Sequence, residues 1–245
     1  MTDSKVRQLE KRLESLEEQY GELAQIAGGL AHEIKNPLSV IRMNMELVAE
    51  DLEEEPSDDA RRALTKVNTI HDQCIRLEKL LNDFLKFARL RNLELLSGDL
   101  NKQLETVLNL FATQAQESGI EIVRFLDPKL PSIKMDVETL QAALVNLVKN
   151  AIEAMPDGGQ FTAITRVTRD GVALDLIDTG CGMNETTAMN MFKTFYTTKI
   201  EGSGLGLPMA RKAIQAHGGR IAVQSEDGCG TKFMLEFPTP ARIGE

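Results

Sequence analysis

Apolar residues Val6, Leu9, Leu13, Leu16, Tyr20, Leu23, Ala27 and Leu30 recur at alternating steps of three and four, with Glu, Lys, Arg and Gln between them. That is the a/d heptad pattern of a coiled coil. Ile34, Leu38, Ile41, Met45, Val48 and Leu52 extend it, so one long helix is predicted from near residue 5 to about residue 53. The stretch EEEPSDD over 53–59 interrupts the pattern: Pro56 cannot continue a helix, and Ser57 or Asp58 can cap the next one. A second helix follows, with Leu64, Val67, His71, Cys74, Leu77, Leu81, Phe84 and Ala88 on its apolar face. Two long helices joined by a short turn make a hairpin. One hairpin buries two apolar stripes poorly, whereas two hairpins from two chains bury them as a four-helix bundle. A homodimer is predicted on that basis.

Beyond Leu95 the period changes. The runs IEIVRFL, FTAITRV, VALDLID, RIAVQSE and TKFMLEF read as strands, and helical stretches fall at about 101–118, 137–154 and 205–217. Asp170-Gly171 and Asp227-Gly228 suggest two-residue hairpin turns. The class is therefore α+β: a dimeric helical hairpin followed by an α/β two-layer sandwich. The division is 1–28 for an N-terminal coiled-coil helix, 29–96 for the hairpin, and 97–240 for the α/β domain. The stretch from Leu90 to Gly98 is the expected hinge.

Composition narrows the partners. With 42% hydrophobic and 27% charged residues the chain is of ordinary globular type. No apolar run approaches the roughly 20 residues of a membrane span, and the charged N-terminus lacks a signal peptide's apolar segment. A cytoplasmic chain without membrane contact is expected. Three scattered cysteines (Cys74, Cys181, Cys229) give neither a disulfide framework nor a metal spacing. A net charge of −9 without a basic stripe argues against nucleic acid.

Candidate chemistry begins in AHEIKNPLSV. His32 lies two residues from both Leu30 and Ile34, about 200° around a helix, and so points away from the side they bury. Alone, such a histidine is usually just solvated. Glu33 is placed to hold one ring nitrogen's proton, leaving the other as nucleophile, and Asn36 lies one turn on along the same face. Pro37 removes a helical hydrogen bond at about 3 kcal/mol, either as tolerated drift or as a bend that couples a signal to the histidine. His71, on an apolar register, and His217, before Gly218-Gly219 at a helix end, both read as structural.

Four further segments carry polar groups. In NLVKNAIEA, Asn146 and Asn150 share one helix face, suited to a hard cation and phosphate oxygens or to a plain helix–helix amide contact. In DTGCGM, Asp178 ends a strand, where its carboxylate can accept from an exocyclic amine or simply shape a turn with Gly180 and Gly182. Cys181 within it reads as a small filler. MFKTFYTTK supplies Phe192, Phe195, Thr198 and Lys199. GSGLGL brings Gly202, Ser203, Gly204, Leu205 and Gly206 into a helix start, where backbone N–H groups meet an anion.

HEIKNPL resembles the H-box of two-component sensor histidine kinases, in the nitrogen-regulation-like subgroup with the His-Glu-x-x-Asn-Pro pattern. The four later segments, in this order, resemble the N, G1, F and G2 boxes of the histidine-kinase, gyrase and Hsp90 type of ATPase fold. The resemblance covers the chain from about Gly28 to Phe237. It implies ATP-dependent autophosphorylation of His32, with Glu33 as general base, and transfer to an aspartate of a response-regulator receiver domain. Asn36 is implied in dephosphorylating that partner. Asn150 would ligate Mg²⁺ with Asn146 in support, Asp178 would select adenine beside Gly180 and Gly182, and Lys199 with Gly204 and Gly206 would hold phosphates. Glu153, Thr198, Gly202, Ser203 and Leu205 complete the implied nucleotide site, with a lid over about 184–203. Hydrolytic relatives carry a water-activating glutamate where this chain has Asn146, and an amide is no general base. That favours phosphotransfer over the alternatives, a non-phosphorylating ATPase or an inactive dimeric scaffold.

Overall fold

The computed structural model describes residues 34–52, 57–89, 93–199 and 202–239, side chains of 86–89 excepted. The expected N-terminal coiled coil, His32 and Glu33 lie outside the described residues. The chain divides into two compact units between Arg89 and Leu90.

The first unit pairs helix α1 (34–52) with helix α2 (Asp58–Arg89). The described part of α1 runs unbroken through Pro37. Ser57 caps α2, its hydroxyl accepting from the Ala60 N–H at 3.0 Å, and Asp58 and Asp59 place negative charge at the helix's positive end. The heptad residues sort into two rows. Leu38 is 8% exposed, with Met45 and Leu52 half-buried seven and fourteen residues on; Ala60, Val67 and Cys74 are buried at the same spacing on α2. Ile34, Ile41 and Val48 form the other row of α1 and are 40%, 43% and 40% exposed. Ile70 and Leu77 of α2 are likewise exposed. Polar contacts also join the helices: Ser39 Oγ donates to Glu78 at 3.2 Å, and His71 Nε2 meets Glu46 at 3.2 Å.

The second unit is a sheet backed by helices. Its elements are β1 (Leu96–Gly98), α3 (Leu100–Leu110), α4 (Ala112–Glu117), β2 (Ile120–Phe125), β3 (Ile133–Met135), α5 (Val137–Glu153), β4 (Gly159–Val167), β5 (Gly171–Asp178), α6 (Glu185–Asn190), α7 (Gly206–Ala216), β6 (Arg220–Ser225) and β7 (Thr231–Pro238). The main sheet has the order β2-β4-β5-β7-β6, with β2 parallel to β4 and the other pairs antiparallel. A two-stranded sheet pairs β1 with β3.

Leu140, Leu144 and Leu147 on α5, Leu174 and Leu176 on β5, Phe161, Ile214 and Leu235 fill one shared core. The fold class is α+β, as the sequence pattern implies, with differences of detail. The stretch 101–118 is two helices meeting at Phe111. The two hairpin loops are longer than two residues. Thr168–Asp170 joins β4 to β5, with Thr168 N–H donating to Gly171 O at 2.8 Å, and Glu226–Gly230 joins β6 to β7.

The later residues of the stretch expected as a hinge are held in place. Strand β1 is laddered to β3, and Glu94 N–H donates to Asp136 at 3.2 Å, so the chain from Glu94 onward is fixed to this unit. Asp136 also caps α5 by accepting from Thr139 N–H at 2.9 Å. His217 ends α7 as a structural residue. Its Nδ1 lies 2.7 Å from Ala213 O, and its Nε2 lies 3.0 Å from Asp136 N and 3.3 Å from Asp136 O, so the ring ties the end of α7 to the start of α5. Among the described residues no helix is long and apolar enough to cross a membrane.

Candidate nucleotide site

Helix α5 carries two stripes. Leu140, Ala143, Leu144, Leu147, Val148 and Ala151 follow the core-facing spacing, while Asn146, Asn150 and Glu153 recur at steps of four and three along another face. The core therefore fixes which way the polar stripe looks. Everything else in the site is arranged along it.

At residue 146, the start of α7 comes in close: a Cβ at Gly206 would lie 3.2 Å from Asn146 Oδ1. Helix α7 has no side-chain cap and no acidic residue in its first turn, so its positive end stays open to an anion. Leu205 anchors the turn, being buried, and its N–H donates to Ser203 Oγ at 3.3 Å. Gly204 has φ +65°, and a Cβ there would press to 2.5 Å from the Phe195 carbonyl carbon, so glycine is required by both conformation and space. Its carbonyl accepts from Phe195 N–H at 3.0 Å. Gly202 closes against Lys199, whose carbonyl accepts its N–H at 3.2 Å.

At residues 150 and 153, the side chains converge on one cation. Lys199 Nζ donates to Asn150 Oδ1 at 3.0 Å and to Glu153 Oε2. The Asn150 amide in turn donates to Asn146 O at 2.9 Å, which orients its oxygen outward. Thr198 is exposed beside them.

At the end of α5, the Gly180 turn packs on the helix, where a Cβ would sit 2.5 Å from Ala154 O. Cys181 N–H donates to the same carbonyl at 3.0 Å, but the Cys181 side chain is exposed and fills nothing. Asp178 ends β5, in register with Phe161 on one side and Thr231 on the other. It is only 4% exposed. Its Oδ1 accepts from Gly180 N–H at 3.0 Å and Thr231 N–H at 3.2 Å. No hydrogen bond reaches Oδ2 among the described residues, and that oxygen is not sealed in. Burial pushes the Asp178 carboxyl up from the ordinary value, and the two backbone N–H groups pull against that rise. The result is a rigid acceptor with one oxygen left for an incoming N–H.

Two family models match the chain: "His Kinase A (phospho-acceptor) domain" over residues 22–93 and "Histidine kinase-, DNA gyrase B-, and HSP90-like ATPase" over residues 135–241. The chain belongs to the sensor histidine kinases. Among curated relatives of this histidine kinase core, sporulation kinase E of Bacillus subtilis is 32% identical over 88% of the chain and 28% of the relative. Sensor histidine kinase ZraS of Escherichia coli is 32% identical over 88% of the chain and 45% of the relative. The chain thus spans less than half the length of these relatives. Among solved structures, full-length ShkA in complex with AMPPNP is 30% identical with a TM-score of 0.69, covering 89% of this chain and 46% of that one. ThkA in complex with response regulator protein TrrA is 26% identical with a TM-score of 0.63, covering 90% and 63%.

The site residues expected from the kinase resemblance fall in both units. Asn146, Asn150, Glu153, Asp178, Gly180, Gly182, Thr198, Lys199, Gly202, Ser203, Gly204, Leu205 and Gly206 all belong to the second unit, gathered around α5 and its neighbouring turns. Asn36 belongs to the first unit and is exposed. Thr231 and Gly230 went unread in the sequence. Thr231 supplies an N–H to Asp178, and a Cβ at Gly230 would lie 2.1 Å from Asp178 O. The signal was available in Gly228-Cys229-Gly230-Thr231, a glycine-rich turn running straight into a strand. Phe192 packs on the core with Arg211 over its ring at 5.1 Å.

Among the described residues no cluster of three His, Cys, Asp or Glu forms. The oxygens of Asn150 and Glu153 do collect one positive charge in this structure. Amide and carboxylate oxygens are the hard donors that Mg²⁺ takes, together with substrate phosphates, so the residues fit that metal.

Proposed function

We propose that this chain uses ATP with Mg²⁺ to phosphorylate its own His32, and then passes the phosphoryl group to an aspartate of a response-regulator receiver domain. The observation that carries the reading is the single line of polar groups along α5: an open helix end at Asn146, oxygen donors at 150 and 153, and the half-committed Asp178 carboxylate beyond residue 154. Asp178 Oδ2 takes the exocyclic amine of adenine and rejects a base that offers a carbonyl there. The N-terminal N–H groups of α7 at Gly206 take the phosphates, where Gly204 keeps the backbone clear of side chains. Asn150, with Asn146 beside it, would hold Mg²⁺, which when bound neutralises phosphate charge. Lys199 adds a movable positive charge. Asn146 cannot activate water, so the site stores the terminal phosphate for another nucleophile. His32, with Glu33 to hold its second ring proton, is that nucleophile, and positioning supplies much of the rate.

The division 1–28, 29–96 and 97–240 into signalling helix, phosphoacceptor hairpin and ATP-binding domain follows from this reading. The exposed row Ile34, Ile41, Val48 and Leu77 is the surface on which a second hairpin completes a homodimeric four-helix bundle. The solved ThkA complex with response regulator TrrA supports a receiver as partner. Asn36, exposed one turn beyond His32, suits a phosphatase step on that receiver, in keeping with the His-Glu-x-x-Asn-Pro subgroup. A cytoplasmic setting fits both substrates.

The test is incubation with γ-labelled ATP and Mg²⁺. Acid-labile, base-stable label on the protein is expected, absent in His32→Gln. Free phosphate released with no labelled protein would point instead to a non-phosphorylating ATPase.

A further inference from the structure

Glu153 stands one helical turn past Asn150 and is bound on both carboxylate oxygens. Oε2 holds Lys199, and Oε1 faces Lys149 on the same helix at 3.6 Å. Lys149 and Glu153 are an ordinary i,i+4 surface pair. The contact with Lys199 is different, because it joins positions 46 residues apart and includes the Asn150 oxygen. An ammonium held between an amide oxygen and a carboxylate oxygen occupies the donor set that a hard divalent cation uses. All three side chains lie near the surface, where an ion pair adds little to stability. A contact that weak serves poorly as a structural staple and well as an exchangeable one.

We propose that Glu153 is a positioning residue that parks Lys199 on Asn150 in place of the divalent cation, so that the metal–nucleotide enters by exchanging one cation for another. The inference rests on the assignment of Asn150 as the metal-side residue. On exchange, Lys199 leaves two oxygens and follows the negative charge of the arriving phosphates, while Asn150 Oδ1 passes to the metal. The lysine therefore competes with a bare cation and cooperates with a nucleotide-bound one. A plain surface salt bridge predicts no such opposition.

The experiment titrates the full chain with Mn²⁺ in the absence of nucleotide, reading free Mn²⁺ by electron paramagnetic resonance, for the parent, Lys199→Met, Glu153→Gln and the double variant. Removing the parked ammonium frees both oxygens, so Lys199→Met is expected to bind Mn²⁺ about fivefold more tightly, the scale of one exposed ion pair. Glu153→Gln is expected to bind no more tightly than the parent, and the double variant is expected to lose the gain. Unchanged Mn²⁺ affinity in Lys199→Met, or a gain that survives in the double variant, overturns the proposal. A parallel titration of the parent with fluorescent ATP and Mg²⁺ separates the two levels. Tight nucleotide binding with no lysine effect sinks the exchange alone, and no nucleotide binding sinks the site assignment itself.

Discussion

The two units treat their apolar residues in opposite ways. In the second, Leu140, Leu144 and Leu174 are fully sealed between helices and sheet. In the first, Ile41 and Val48 stand open on the surface although they continue the same heptad rhythm as buried Leu38. A sheet with helices on it closes over its core within one chain, whereas two helices have only one mutual seam and leave the other row uncovered. The second unit carries its polar stripe on elements that its own core fixes, while the first leaves an apolar row exposed.

The sharpest way to break that contrast is to empty the sealed core. Leu144→Ala removes a side chain packed among Leu140, Leu174 and their neighbours, and is expected to cost about 2–5 kcal/mol. Urea unfolding followed by far-UV circular dichroism checks it. The loss should appear with nucleotide affinity, because α5 also carries Asn146 and Asn150. A change under about 1 kcal/mol would mean that the unit is not the close-packed body described here.

The next effect in size belongs to the open row. Ile41→Ser is expected to leave nucleotide binding as it is and to weaken self-association by roughly 1.5 kcal/mol per copy, the low end for burying such a side chain. Sedimentation over a concentration range checks it. Leu38→Ser, in the buried row, should disturb the hairpin itself instead. If both variants behave alike, the two rows are not distinct surfaces.

Sequence alone displayed the rows but not their roles. Spacing places Leu38 and Ile41 on one apolar face, yet only the path of α2 decides which is covered, and that path depends on a turn that periodicity does not encode. The five strands of the main sheet were legible because each is a short apolar run between polar breaks. Strands β1 and β3 are three residues each, too short to show a period. In the site, Asn146, Asn150, Asp178 and the 202–206 glycines were legible because each motif is local in sequence. The Lys199–Glu153 contact was not, as it joins two side chains 46 positions apart in the chain. Asp175 is hidden in the sequence for the same reason. It reads as one polar residue in VALDLID, but it is buried and paired with Arg166 at 2.7 Å and Lys232 at 2.9 Å, partners from the two flanking strands.

The smallest expected effect has the opposite sign and marks a position where the sealed unit gives up stability. Burial holds the Asp178 carboxyl above its ordinary range, so the folded chain keeps that proton to a higher pH than the unfolded chain does. A carboxyl raised in this way detracts from stability once pH exceeds the folded value, and the loss fades as pH falls toward the ordinary carboxylate range near about 3.9. Asp178→Asn keeps an oxygen for Gly180 N–H and Thr231 N–H while removing the buried charge. Its melting temperature without nucleotide should therefore exceed the parent's slightly at neutral pH, and the gap should close on acidification. Its nucleotide should stabilise it less than the parent, since an amide N–H now meets the adenine amine. A variant that melts lower than the parent at neutral pH would show instead that the carboxylate is held mainly for the fold, with its two backbone hydrogen bonds outweighing the burial of the charge.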